Sequence, residues 1–178
     1  MTQVSPSTPP LPLTRPESPA DGPIIEALHR AAFGPGAYAR AAFRVREEAP
    51  HDPALSFVTE LDGAMIASVR LTPIDVGGAE GLLLGPLVVD PAYKNRGYGK
   101  ALLALSVEAA RARGEAFVLL VGDEPYYGPF GFRRVPPGKV AMPGPVDPAR
   151  LLVAELAESA AVALEGRVRG VRRPEEEG

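Results

Sequence analysis

The stretch from Gly81 to Val121 constrains the fold more than any other part of the chain. Gly81 to Val89 is long and apolar, and Asp90-Pro91 ends it. After the polar segment Lys94-Asn-Arg-Gly97-Tyr-Gly99, apolar residues recur at helical spacing: Leu102, Leu103, Ser106, Val107, Ala109 and Ala110. This predicts a helix from Tyr98 to Arg113. Arg111 and Arg113 suit its C-terminal dipole, and Gly114 is a natural stop. Ala116 to Val121 is again apolar and strand-like. Strand, helix and strand in this order imply a right-handed parallel βαβ unit. Gly85-Pro86 interrupts the first strand. Proline has no N–H to give a ladder, so a bulge or a splay is expected there.

Upstream, Leu11 and Leu13 alternate with Pro12 and Thr14, as a short edge strand would. Ser18-Pro-Ala-Asp21 has the pattern of a helix cap, and Pro23 pushes the helix start toward Asp21. Ile24, Ile25, Leu28, Ala31 and Ala32 continue with helical spacing until Gly34-Pro-Gly36. A second helix is expected from Ala37 to Glu48. Leu55 to Leu61 and Met65 to Thr72 read as strands. Asp62-Gly63 joins them as a two-residue hairpin turn, and Gly77-Gly78 is a second turn. Beyond the βαβ unit, Gly122-Asp-Glu-Pro125 starts a short helix, and Pro143 and Pro145 mark loop. Arg150 to Leu156 reads as a last strand, with a helix as the alternative. The expected layout is a mobile arm over 1–10, one domain over 11–170 and a charged tail over 171–178.

Composition removes several classes. The 178 residues include no cysteine, which excludes disulfides, thiolate metal sites and cysteine nucleophiles. His29 and His51 are lone histidines, read as structural or surface residues, so no metal site is expected. A net charge of -3 argues against a broad nucleic-acid surface. Arg167, Arg169, Arg172 and Arg173 are read as a solvated end. There is no run long enough to span a bilayer and no secretory pattern at Met1 to Pro10, so a cytoplasmic protein is expected.

Gly97-Tyr-Gly99, at a helix N-terminus after a strand, is suited to an anion, because free N–H groups and the helix dipole point outward there. A P-loop would need Gly at 94 and Ser or Thr at 101, where the chain has Lys94 and Ala101. A dinucleotide fingerprint would need Gly at 102, which is Leu. Lys94-x-x-Gly97-x-Gly99 matches both glycines of the pyrophosphate loop of acyl-CoA enzymes, Arg/Gln-x-x-Gly-x-Gly/Ala, with Lys in the first place. With Gly85-Pro-Leu-Val-Val-Asp-Pro91, Lys100-Ala-Leu-Leu103, Phe117-Val-Leu-Leu-Val121 and Tyr126-Tyr-Gly-Pro-Phe-Gly-Phe132, the chain resembles the GNAT superfamily of N-acetyltransferases over about 48 residues. It is most like the bacterial subgroup with Tyr-Tyr-Gly-x-Phe-Gly-Phe.

The resemblance implies an α/β fold: a mixed, mostly antiparallel sheet of six or seven strands, helices on both faces and one splayed parallel pair. It implies acetyl-CoA as cosubstrate. The pantetheine arm would lie along Leu87, Val88 and Val89. The pyrophosphate would lie on the loop of Lys94, Asn95, Arg96, Gly97, Tyr98, Gly99 and Lys100. The N–H near Val88 is a candidate to polarise the thioester carbonyl. Tyr127 would protonate the departing thiolate, with Tyr126 as the neighbouring alternative and an ordinary packed aromatic as the plain reading. Asp123, Glu124 and Glu60 are unranked candidates for the base. The asparagine that contacts pantetheine in many members is replaced by Gly122-Asp123. The implied reaction is direct transfer of an acetyl group to a primary amine of an unidentified small molecule or peptide, with no covalent enzyme intermediate. The competing reading is a non-catalytic acyl-CoA-binding regulatory module. A second subunit pairing with the final strand is a further expectation. Specificity is expected from Gly34-Pro-Gly36, the first two helices and the C-terminal strand.

Overall fold

A computed structural model describes residues 8–34 and 41–174. Most of the expected N-terminal arm, the first four residues of the expected second helix, Pro35 and Gly36 of the turn, and the end of the charged tail lie outside the described residues.

Among the described residues nine strands form one sheet system: β1 (Leu13–Pro16), β2 (Phe57–Leu61), β3 (Ala64–Val76), β4 (Ala79–Val89), β5 (Phe117–Val121), β6 (Phe132–Arg134), β7 (Val140–Ala141), β8 (Leu151–Glu155) and β9 (Gly166–Gly170). Four α-helices accompany them among the described residues: α1 (Gly22–Phe33), α2 (Ala41–Glu48), α3 (Tyr98–Ala112) and α4 (Glu124–Tyr127). The main path of the sheet is β1-β2-β3-β4-β5-β8-β6. It is antiparallel except at β4 and β5, the ends of the βαβ unit.

The seven-stranded path agrees with the expected count, and two short strands add to it. β3 is longer than its sequence signal, running through Pro73 to Val76. Its far half extends past β2, and β9 fills that edge by pairing with Ile74 to Val76. The strand at 151–155 is therefore not the last. Gly-Arg-Val-Arg-Gly hid β9 because only Val168 is buried, which leaves no apolar alternation to read. β7 runs parallel to β9 over two residues.

Local chemistry explains the connections. Asp62 and Gly63 have φ of 52° and 79°, the left-handed pair that a two-residue hairpin requires. Ser18 and Asp21 form a reciprocal cap around a turn of 3-10 helix, and α1 begins at Gly22, one residue after Asp21.

Side chains alternate across the sheet. Leu82 and Leu84 of β4, Val118 and Leu120 of β5 and Leu152 of β8 face Leu102, Leu103 and Val107 of α3. Leu83, Phe117, Leu119 and Val153 point the other way, toward Val45 of α2. On that same face Val58, Met65 and Val88 pack with Ile25 and Leu28 of α1. The sheet is thus covered on both faces. At about 25 cal/mol per Å² this burial is the main favourable contribution to folding.

Candidate functional site

The parallel ladder between β4 and β5 is short. Leu82 pairs with Val118 and Leu83 with Leu119, and the pairing then stops. The cause lies in β4. Leu84 is opposite Leu71 and Leu87 is opposite Val69, so Gly85 and Pro86 together face the single residue Arg70. Two residues against one is a bulge, and Gly85 takes φ of 128° to make it. Beyond this kink β4 follows β3, while β5 follows β8. The strands part, and among the described residues the edge of Leu87–Val89 that would face β5 has no partner strand.

A cleft of about 1060 Å³ opens at the parting, at the upper end of the range of ligand pockets. Leu84–Val89 form one wall and Leu120–Asp123 the other. The floor reaches the loop before α3, where Lys94, Asn95, Gly97, Tyr98, Gly99 and Lys100 line it. Asn95 and Gly97 have φ of 62° and 88°. The N–H of Ala101 is bonded to the carbonyl of Gly97, so the N–H groups of Tyr98, Gly99 and Lys100 precede the helical ladder. Gly99 is buried, and a Cβ there would lie 3.1 Å from the Tyr126 hydroxyl and 3.3 Å from Val89 Cγ2. Arg96 is the one residue expected in this loop that does not line the cleft. Its guanidinium lies 5.4 Å from the Tyr93 ring centroid. Lys100 sits 5.8 Å from the Tyr126 ring.

Tyr126 and Tyr127, on α4, also line the cleft. Their rings meet edge to face at 4.8 Å, and Tyr127 makes a second such contact with Phe132 at 6.0 Å. Gly122 makes room for this arrangement, since a Cβ there would clash with the edge of the Tyr127 ring. Burial, then the neighbouring Tyr126 and Asp123, push the Tyr127 phenol up to about 12, against the pull of Arg150. It is therefore protonated throughout the neutral range: a proton donor, and no base.

The three candidate bases are scattered. Asp123 lines the cleft but is 3.2 Å from Arg150 Nε. Glu124 accepts from the Arg134 N–H and pairs with its side chain. Glu60 lies on β2, 2.8 Å from Arg15. Neither Glu124 nor Glu60 lines the cleft.

Sequence reasoning expected specificity from the first two helices, the far end of the cleft, but singled out no residue there for a role. There Glu26, His29, Arg30 and Phe33 of α1 face Phe43 and Arg46 of α2. The His29 imidazole is pushed down to about 4, first by burial and then by Arg70 and Arg46, against Glu17. It is neutral above that pH. The four α1 residues have the spacing i, i+3, i+4, i+7, one face of a helix, and that periodicity was the signal available.

The sequence model of the acetyltransferase (GNAT) family matches residues 23–131. An uncharacterised N-acetyltransferase of Escherichia coli K12, YhbS, is 34% identical over 122 residues, 67% of this chain and 72% of that protein. The crystal structure of E. coli YhbS in complex with CoA superposes with a TM-score of 0.74 at 28% identity, covering 96% of this chain and 94% of that one. A GNAT family acetyltransferase of Brucella melitensis in complex with acetyl-CoA gives a TM-score of 0.58 at 30% identity, covering 85% and 98%.

Proposed function

Because the chain belongs to the GNAT acetyltransferase family, we propose that it transfers the acetyl group of acetyl-CoA to a primary amine by direct attack within a ternary complex. The observation that carries this reading is the parting of β4 and β5 after Leu83 and Leu119, which opens a cleft onto the free N–H groups at the start of α3. The CoA complex of E. coli YhbS and the acetyl-CoA complex of the Brucella relative support it.

The cleft fits the cosubstrate in three respects. Its floor offers the N–H groups of Tyr98, Gly99 and Lys100 with the basic side chains of Lys94 and Lys100, a suitable cradle for a pyrophosphate. Gly99 leaves the approach to that cradle free of a Cβ. The wall of Leu87, Val88 and Val89 presents backbone groups without a strand partner to an amide-bearing arm. In this reading an N–H next to Val88, that of Leu87 or Val89, is the oxyanion donor to the thioester carbonyl, because the Val88 N–H turns toward Ser68 of β3.

The chemistry follows from the groups nearby. A neutral amine attacks the thioester carbon, and the thiolate leaves as the C–N bond forms. A thiol has a pKa of about 8.5, so its conjugate base takes a proton only from a positioned donor or from water. Tyr127, held protonated at the cleft wall, is that donor. The acceptor's own proton leaves through water, because Asp123 is paired with Arg150, and Asp147, which also lines the cleft, accepts from the Ala149 N–H.

Thiol release from acetyl-CoA, measured over a panel of amines, tests the activity. Tyr127→Phe should lower turnover by about 100-fold while leaving acetyl-CoA affinity within a factor of about two. Unchanged turnover in the variant would remove Tyr127 from the mechanism. Acetyl-CoA binding without turnover on any amine would instead favour a regulatory acyl-CoA module.

A further inference from the structure

Tyr126 and Tyr127 are neighbours on α4, but they point to different parts of the cleft. Tyr127 packs on Gly122, at the end of β5, and on Phe132. Tyr126 reaches the other way, across the cleft to the start of α3. A Cβ at Gly99 would lie 3.1 Å from its hydroxyl oxygen, and the same point would lie 3.3 Å from Val89 Cγ2. Three elements converge on this spot: the first turn of α3, the end of β4, and α4. Val89 ends the wall of unpaired backbone, and Gly99 belongs to the N–H cradle. The Tyr126 hydroxyl therefore stands where the wall meets the cradle.

The side chain is held in place while its polar end stays available. Its ring meets the Tyr127 ring edge to face at 4.8 Å, and the Lys100 ammonium lies 5.8 Å from its centroid. The residue is 36% exposed and lines the cleft. Among the described residues its hydroxyl makes no hydrogen bond. Burial pushes the phenol up from its ordinary value, so it is a neutral O–H donor throughout the neutral range. The field beside it favours an anion, because the N–H groups of Tyr98, Gly99 and Lys100 and the positive end of the α3 dipole meet there with the Lys94 and Lys100 side chains. A phenol in that setting is one more donor for the same anion.

We propose that the Tyr126 hydroxyl is a ligand of the cosubstrate, donating a hydrogen bond to the pantetheine-side phosphate of CoA and fixing the point where the pyrophosphate gives way to the pantetheine arm. The inference rests on the acetyl-CoA reading above. With the pyrophosphate on the cradle and the arm along Val89, Val88 and Leu87, the phosphate nearest Val89 is the one that bears the arm. The thioester lies at the arm's other end, toward the kink at Gly85. The two tyrosines are thereby divided by role. Tyr127 protonates the thiolate, and Tyr126 holds the cosubstrate from the opposite end of the arm.

Calorimetric titration of the full chain with CoA compares wild type with Tyr126→Phe, which keeps the ring and removes only the hydroxyl. The variant should bind CoA about tenfold more weakly, as loss of a hydrogen bond to a charged group predicts. The loss should be the same for 3′-dephospho-CoA, which retains the pyrophosphate. Phosphorus NMR of bound CoA locates the contact: a diphosphate signal should differ between wild type and variant, while the 3′-phosphate signal stays. With an amine that releases thiol, Tyr126→Phe should raise the KM for acetyl-CoA about tenfold at nearly unchanged kcat, the opposite of Tyr127→Phe. Equal CoA affinity in wild type and variant, or coincident diphosphate signals, would overturn the proposal. So would a fall in kcat at unchanged KM, which would make Tyr126 the proton donor. A lower urea midpoint in Tyr126→Phe would give the hydroxyl a structural role and overturn it as well. A folded wild type that binds no CoA would sink the acetyl-CoA reading and this assignment together, whereas a binding wild type with an unaffected variant sinks the assignment alone.

Discussion

Two side chains set the pH behaviour of the cleft. Tyr127 loses its proton only near 12, and His29 gains one only near 4. Between those limits neither changes charge. With an amine acceptor, kcat/KM should therefore rise with pH and level off at the acceptor's own ammonium pKa, since only the neutral amine attacks. A falling limb near neutral pH that disappears in Tyr127→Phe would contradict the protonated-phenol assignment. At this scale the sequence was legible where a residue type is rare in its setting. Gly97 and Gly99 were singled out from the loop before the helix, and Tyr127 from the separate segment Tyr126 to Phe132. His29 was read only as a lone histidine, because its place in the lining of the cleft follows from where α1 packs, and no local pattern records that. Arg96 shows the opposite limit. Its place in the loop suggested a contact, yet its side chain turns to the Tyr93 ring.

Among the elements, β4 and α3 do most to shape the cleft. Gly85-Pro86 gave enough reason to expect irregular pairing, because proline cannot donate and glycine reaches positive φ. The register confirms a two-against-one bulge at Arg70. The direction of the splay was not readable, because it depends on β5 staying with β8 through five pairs. α3 positions the loop by burying Leu102 and Leu103 against the sheet. Leu103 is fully buried. Leu103→Ala should lower the unfolding free energy by about 2–5 kcal/mol, read as a lower urea midpoint at unchanged slope. A loss below about 1 kcal/mol would mean that α3 is not anchored through this residue. β9 was missed for a physical reason as well: a strand that lies on an edge with one buried residue has almost no hydrophobic signature.

For the whole molecule, acid should be the weak side of the stability curve. Burial alone would raise the Glu17 carboxyl, but hydrogen bonds from His51 and Arg70 outweigh it and bring it to about 2 from an ordinary 4.5. Its contribution is full above 4.5 and lost as pH falls from there toward 2. His29 acts earlier. Its folded pKa lies near 4 against an ordinary 6.5, so below 6.5 the unfolded chain takes a proton that the folded one refuses. The melting temperature should start to fall below pH 6.5, and His29→Gln should delay that onset toward pH 4.5. A melting temperature flat from 6.5 to 4 would contradict this. The overall architecture was legible because the βαβ unit and two glycine turns fix its centre, while the small strands at its margins were not. The central claim concerns the cleft at that centre, and calorimetric titration with acetyl-CoA tests it most directly, with ATP and NAD as controls and Gly99→Glu as the variant. The account predicts saturable binding of acetyl-CoA alone, abolished when a charged side chain enters the space between Val89 and Tyr126. Undiminished acetyl-CoA affinity in a folded Gly99→Glu protein, or no binding by a folded wild type, would contradict it.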